Sequence, residues 1–133
     1  MMREILFRGK RIDNGEWVYG YYVPACFGRF PCRPAIVPEP NGEWRPIEVN
    51  PETVVQFTGW SDKNGRKIFE GDIVKFPYGT KSMNGKIEYS EEDCIYYLTY
   101  KTGRVPFGVF FNDFELEIIG NIHDNPELLE VTE

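Results

Sequence analysis

Gln56-Phe57-Thr58-Gly59-Trp60-Ser61-Asp62-Lys63-Asn64-Gly65-Arg66-Lys67-Ile68-Phe69 decides the class of fold. Two runs of strand-forming residues, 56–60 and 67–69, flank a corner that holds Asn64-Gly65. Asn-Gly supplies the two positive-φ residues of a type I′ turn, whose twist matches the strands it joins. The stretch therefore reads as a β-hairpin. The same dipeptide recurs at Asn14-Gly15, Asn41-Gly42 and Asn84-Gly85. Working outward, residues 5–12 meet 17–23, and residues 73–78 are followed, after a 79–84 link, by 86–89. Residues 95–100, 105–111 and 114–122 read as further strands. Turns spaced every ~8–15 residues imply a mainly antiparallel β chain.

Helical signals are confined to two short segments. Asn50-Pro51-Glu52-Thr53 has an N-cap residue, a proline at the first helical position and an acid in the first turn, and is read as one helical turn. Asp124-Asn125-Pro126-Glu127-Leu128-Leu129-Glu130 repeats that logic near the end of the chain. Pro24, Pro31, Pro34, Pro38, Pro40, Pro46 and Pro51 crowd one region. Proline lacks the donor that a central strand needs, so the 24–46 segment reads as edge strand and loop. Asn-Gly-Glu-Trp occurs at 14–17 and again at 41–44 without similarity around it, as two similar hairpin corners would.

The chain has 133 residues, 41% hydrophobic and 27% charged, which is a globular composition. No stretch approaches the roughly 18 apolar residues of a membrane span. Residues 1–8 lack the apolar core of a signal peptide. A net charge of −6 disfavours polyanionic partners. The charge is unevenly divided: residues 1–54 are neutral and residues 55–133 carry the whole excess of acid. Three cysteines, Cys26, Cys32 and Cys94, with no signal sequence suggest reduced thiols in a cytoplasm. With His123 they are the makings of a Cys₃His site, but no pair has ligand-pair spacing, and small buried hydrophobes are the preferred reading. No metal or cofactor is expected.

Asp113, Glu115 and Glu117 alternate with Phe114, Leu116 and Ile118, which places three acids on one strand face. Paired carboxylates can move protons or bind a divalent cation, yet the solvated face of a half-buried strand is the preferred reading. Asp72 precedes an apolar strand and is read as a turn-closing acceptor of backbone N–H groups. Trp17, Tyr19, Tyr21 and Tyr22, with Arg29 and Arg33, compose the candidate interaction surface. Small β-barrels stack bases on such aromatics and track phosphates with arginine. Trp17, Tyr19 and Tyr21 share one strand face, however, and a core stripe has the same pattern. Neither G-x-S-x-G, a P-loop nor G-x-G-x-x-G occurs, so no enzymatic activity is expected.

Three segments together carry a resemblance: residues 3–10, residues 51–74 with their Asp-Lys-Asn-Gly hairpin and Glu-Gly-Asp-Ile-Val, and Gly120-Asn121-Ile122-His123-Asp124-Asn125-Pro126-Glu127-Leu128. The chain resembles the YopX family over nearly its whole length, with Trp60 where a leucine is expected and nothing matching in 24–46. The resemblance implies a mainly β protein encoded by prophages and bacteriophages, with no established activity and no family site residues to carry over. The Gly-Asp-Ile-Val strand is also similar to that of small Src-homology-3-like barrels.

The resulting expectation is an N-terminal β subdomain over 1–54 with a proline-rich loop, then a small Src-homology-3-like barrel with a short C-terminal helix over 55–133. Its core is expected to include Ile5, Phe7, Val18, Phe57, Ile68, Ile73, Val74, Phe107, Val109, Leu116, Ile118 and Ile122. Twenty-one aromatics exceed what a barrel of this size buries. The expected role is that of a phage-derived cytoplasmic accessory protein, non-catalytic, acting as a protein-binding or self-assembling module. A homo-oligomer is the expected state, with a host or phage protein as a further partner. The alternative is a nucleic-acid-binding barrel.

Overall fold

The computed structural model describes residues 4–23, 34–38, 46–107 and 116–129. These form ten strands: β1 Phe7–Arg11, β2 Trp17–Val23, β3 Ala35–Pro38, β4 Ile47–Ser61, β5 Lys67–Phe69, β6 Asp72–Tyr78, β7 Lys81–Ser90, β8 Ile95–Tyr100, β9 Gly103–Pro106 and β10 Glu117–Asn121. A single 3-10 turn, Pro126–Leu129, follows. The protein is mainly β and all described pairings are antiparallel. The chain divides into two compact units, Met1–Phe57 and Thr58–Glu133.

In the first unit β1 pairs with β2, β2 with β3, β3 with β4, and β4 returns to β1, closing a four-stranded ring. Ile36 and Val49 are fully buried there, and Leu6, Val37, Val55 and Phe57 nearly so. Ile5 is not in this core, being 54% exposed. Leu6 takes the place instead, its carbonyl accepting the Phe57 N–H at 2.8 Å. Phe7 and Val18 are half-buried.

Ring closure requires β4 to reach β1 twice, at Val49–Asn50 and again at Val55–Gln56. The intervening residues 51–54 bulge out. The expected helical turn at Asn50 is this bulge, held by the contacts that made it look like a helix cap. Asn50 Oδ1 accepts the Glu52 N–H at 3.0 Å, and Thr53 Oγ1–H donates to the Asn50 carbonyl at 2.6 Å. The buried Thr53 hydroxyl also accepts the Lys10 N–H at 2.8 Å, so the cap chemistry serves the ring.

The second unit contains the sheet β10-β6-β7-β8-β9. Its described strands pair in linear order, and the closed ring among the described pairings lies in the N-terminal unit. One sheet face stacks Ile87, Leu98 and Val105 across β7, β8 and β9, with Val74, Phe76 and Ile118 continuing the core. Ile68, Ile73, Phe107 and Leu116 are buried as expected, Ile122 is half-buried, and Val109 lies outside the described residues. Asn84 donates its side-chain N–H to the Leu128 carbonyl at 3.0 Å, fastening the 3-10 turn to β7.

The hairpin corners sit where Asn-Gly marked them in two cases, but their geometry differs from type I′. Gly15 and Gly65 have φ of 74° and 80°, while Cys94 is the only positive-φ non-glycine among the described residues. The corner at Asp62 is a turn with the Gly65 N–H on the Asp62 carbonyl at 3.0 Å, and the glycine alone is left-handed. Asn84-Gly85 is not a corner at all. It lies inside β7, where a Cβ on Gly85 would come within 2.9 Å of Leu98 Cδ1. Asn41-Gly42 lies outside the described residues.

Cys94 closes the β7–β8 hairpin at φ 58°, its N–H on the Ser90 carbonyl at 2.7 Å. Gly15 makes the equivalent bond to Arg11 in the first hairpin. A left-handed non-glycine costs about 1 kcal/mol. Cys94→Gly is therefore expected to raise stability by up to about 1 kcal/mol, read from the midpoint of urea unfolding.

Candidate functional site: an aromatic and basic strip on the first unit

The β1–β2 pairing sets Lys10 opposite Trp17 and Arg8 opposite Tyr19. Side chains of opposed residues share a sheet face, and alternation puts Tyr21 on that face too. The Arg8 guanidinium lies over the Trp17 ring at 4.4 Å from its centroid, and the Lys10 ammonium lies at 5.5 Å. Such stacking on an indole contributes about 0.5–2 kcal/mol, more where water is excluded, and Arg8 is buried. Beyond Trp17 the strip opens to solvent: Tyr19 is 45% and Tyr21 51% exposed. These residues are not a core stripe.

Tyr22 leaves the strip. It faces the other side of β2, opposite the fully buried Ile36, and its ring packs against Phe7 at 5.9 Å between centroids. Arg29 and Arg33 lie outside the described residues, as do Cys26 and Cys32. The cations that the structure gathers at Trp17 are Arg8 and Lys10 instead. Their period-two spacing on β1 was the available signal, but the pairing register alone reveals which aromatic they meet.

Beside the β1–β2 corner is a groove of about 290 Å³ lined by Arg11, Ile12, Asp13, Pro46, Ile47 and Glu48. Arg11 closes on Asp13 through two bonds, Nε–Oδ1 at 2.9 Å and Nη2–Oδ2 at 2.7 Å. That bonding lowers the Asp13 carboxyl and raises the Arg11 guanidinium from their ordinary values. The groove thus presents isoleucine walls and a self-satisfied ion pair.

The carboxylates weighed for catalysis do not assemble a site. Asp113 and Glu115 lie outside the described residues, and Glu117 forms an exposed ion pair with Lys63 at 3.4 Å. Asp72 is buried and accepts the Phe69 N–H at 2.8 Å, the turn-closing role read from its position. Asp62 is a comparable structural carboxylate that its place in the Asp-Lys-Asn-Gly hairpin did not announce. Among the described residues no group of three or more His, Cys, Asp or Glu is placed to hold a metal ion. No helix among them is long and apolar enough to cross a membrane.

Ring and sheet together define a small mainly β protein of two antiparallel units that displays an aromatic face on a closed ring. Residues 6–130 match the family model described as YopX protein, and the chain belongs to the YopX family. It is similar to the crystal structure of protein EF1440 from Enterococcus faecalis, with a TM-score of 0.53 and 24% identity over 96% of this chain and 99% of that one. At that identity the likeness speaks for the fold. No curated protein matches the chain.

Proposed function

We propose that this protein is a phage-derived, cytoplasmic, non-catalytic protein-binding module that self-associates through the outer face of β2. The observation that carries the reading is the outward row of Tyr19 and Tyr21, 45% and 51% exposed, next to the cation-covered Trp17. Tyrosines bury large area at low entropic cost and are enriched at protein interfaces. Light scattering on the eluting peak tests it. The expected result is a multimer of the 15.5 kDa chain. The double variant Tyr19→Ser/Tyr21→Ser is expected to elute as a monomer with unchanged thermal unfolding, because both side chains are exposed. A wild-type monomer at high concentration, or a double variant that still assembles, overturns self-association through this face.

Arg8 and Lys10 beside Trp17 favour a second reading, single-stranded nucleic-acid binding. It requires a 260/280 nm ratio that marks co-purified nucleic acid and an affinity that falls steeply with salt. The acidic total weighs against it.

A further inference from the structure

Asn-Gly is a reactive dipeptide as well as a turn signal. The glycine amide nitrogen, unshielded by a Cβ of its own, closes on the asparagine side-chain carbonyl carbon to form a five-membered imide. Closure needs an asparagine side chain free to swing over the backbone and a glycine N–H free to leave its acceptor. The chain holds four such dipeptides, and three of them lie among the described residues in three different settings.

Asn84 is locked. Its side-chain amide donates to the Leu128 carbonyl at 3.0 Å, and Gly85 is buried in β7 opposite Val74, where a Cβ would come within 2.9 Å of Leu98. Asn14 is partly held: its Oδ1 accepts the Glu16 N–H at 2.9 Å, and the Gly15 N–H donates to the Arg11 carbonyl at 2.9 Å. Asn64 stands at the tip between β4 and β5, where residues 63–67 are all exposed. Its backbone N–H is bonded, but no hydrogen bond from a described residue holds its side-chain amide. Gly65 donates its N–H to the Asp62 carbonyl at 3.0 Å, and a Cβ on Gly65 would have no neighbour within 4 Å, so the tip has room to open.

We propose that Asn64-Gly65 is a self-modification site, at which the corner lengthens its own backbone as the protein ages. The Gly65 nitrogen bonds to Asn64 Cγ, the Cγ–Nδ2 bond breaks, and the side-chain amide leaves as ammonia with the Gly65 proton. Water then adds to one carbonyl of the imide and opens it, to aspartate or to isoaspartate. In isoaspartate the main chain runs through Cβ and Cγ and is one bond longer. That bond falls between the Asn64 and Arg66 N–H groups, which both rest on Asp62 Oδ1 at 2.9 Å. The longer link spreads the two donors, so Oδ1 keeps one at most. The hold on β10, which the same carboxylate makes through the Ile118 N–H at 3.0 Å, loosens with them. This corner and the β2 strip lie in different units, so failure of either reading leaves the other testable.

The test incubates the wild-type chain at mildly alkaline pH and scores amide-to-acid conversion at each asparagine by peptide mapping with mass spectrometry. Synthetic peptides spanning residues 10–18, 60–68 and 80–88 give the rates of the unstructured dipeptides. Folded Asn64 is expected to convert within about tenfold of its peptide, since a hairpin tip opens at little cost. Asn14 is expected to be about threefold slower than Asn64, for the extra bond on its side chain. Asn84 should be slowed at least about a hundredfold against its peptide, because β7 must leave its ladders first. Asn64 slowed as much as Asn84, or outpaced by Asn14, overturns the proposal. The consequence is read on the isoaspartyl fraction, separated by ion exchange. Its urea midpoint is expected to fall below that of Asn64→Asp, which carries the same added charge on an ordinary backbone. Equal midpoints would show that the longer backbone does not loosen the corner, and overturn that part.

Discussion

Replacing Asp62 with alanine is expected to lower unfolding free energy by about 3 kcal/mol, a cost typical of orphaning one buried donor and loosening two half-buried ones. Asp62 is 3% exposed and its two oxygens hold three backbone N–H groups. Oδ1 accepts from Asn64 and Arg66, both at 2.9 Å, closing the corner between β4 and β5. Oδ2 accepts from Ile118 at 3.0 Å, tying that corner to β10. Alanine leaves the buried Ile118 N–H unsatisfied and strips the half-buried Asn64 and Arg66 N–H groups of their acceptor. Asparagine retains one acceptor oxygen and is expected to lose about half as much. Equilibrium urea unfolding followed by tyrosine and tryptophan fluorescence measures both.

The same carboxylate has a pH signature. Burial pushes its carboxyl up, but the Ile118, Arg66 and Asn64 N–H groups outweigh that and hold it below its ordinary value of 3.8. A carboxyl whose folded pKa is lowered contributes stability above its unfolded pKa and loses it as pH falls through the folded one. Wild type should therefore lose stability below about pH 4, and Asp62→Ala should show a shallower slope there. An equal slope in both proteins assigns the acid sensitivity to other groups.

The second large effect is expected at Gly20. In the ring, Gly20 on β2 lies opposite Pro38 on β3. A Cβ at this position would fall 2.0 Å from the Val37 carbonyl oxygen and 2.9 Å from Pro38 Cα. These are backbone atoms, so no rotamer change relieves the clash, and the β2–β3 seam must part. Gly20→Ala is expected to cost about 3 kcal/mol or more, with the loss appearing first as faster amide exchange in β2 and β3. Gly65→Ala is the comparison, because space at that corner is open and only the φ of 80° is strained. It should cost about 1 kcal/mol. If the two variants lose the same stability, close packing at the seam is not what Gly20 provides.

Both effects show where reading the chain succeeds and stops. The hairpin at Asn64-Gly65, the alternation on β2 and the proline-led turn at 126–129 were legible because each depends on residues within about four positions of one another. Asp72 was legible for the same reason, its acceptor role reaching back three residues to Phe69. The bulge at Asn50 misled because the same local bonds serve a helix cap and a strand bulge, and only the bond from Lys10 to Thr53, 43 residues away, distinguishes them. Asn84-Gly85 misled likewise, since its placement in β7 is set by Leu98 and by a bond to Leu128, 44 residues on.

The sites divide in the same way. By itself the sequence determined a mainly β chain of the YopX family, its corners, and the shared face of Trp17, Tyr19 and Tyr21. Whether that face is buried or open, that Arg8 and Lys10 cover Trp17, that Tyr22 turns away, and that Tyr89 meets Tyr96 while Trp60 meets Phe107 were decided by tertiary structure. Period-two alternation states which side chains share a face but not which face meets the core. That choice is made by strand register and ring closure, whose contacts join residues such as Arg8 and Val55, 47 positions apart, and it is collective free energy of packing that selects them.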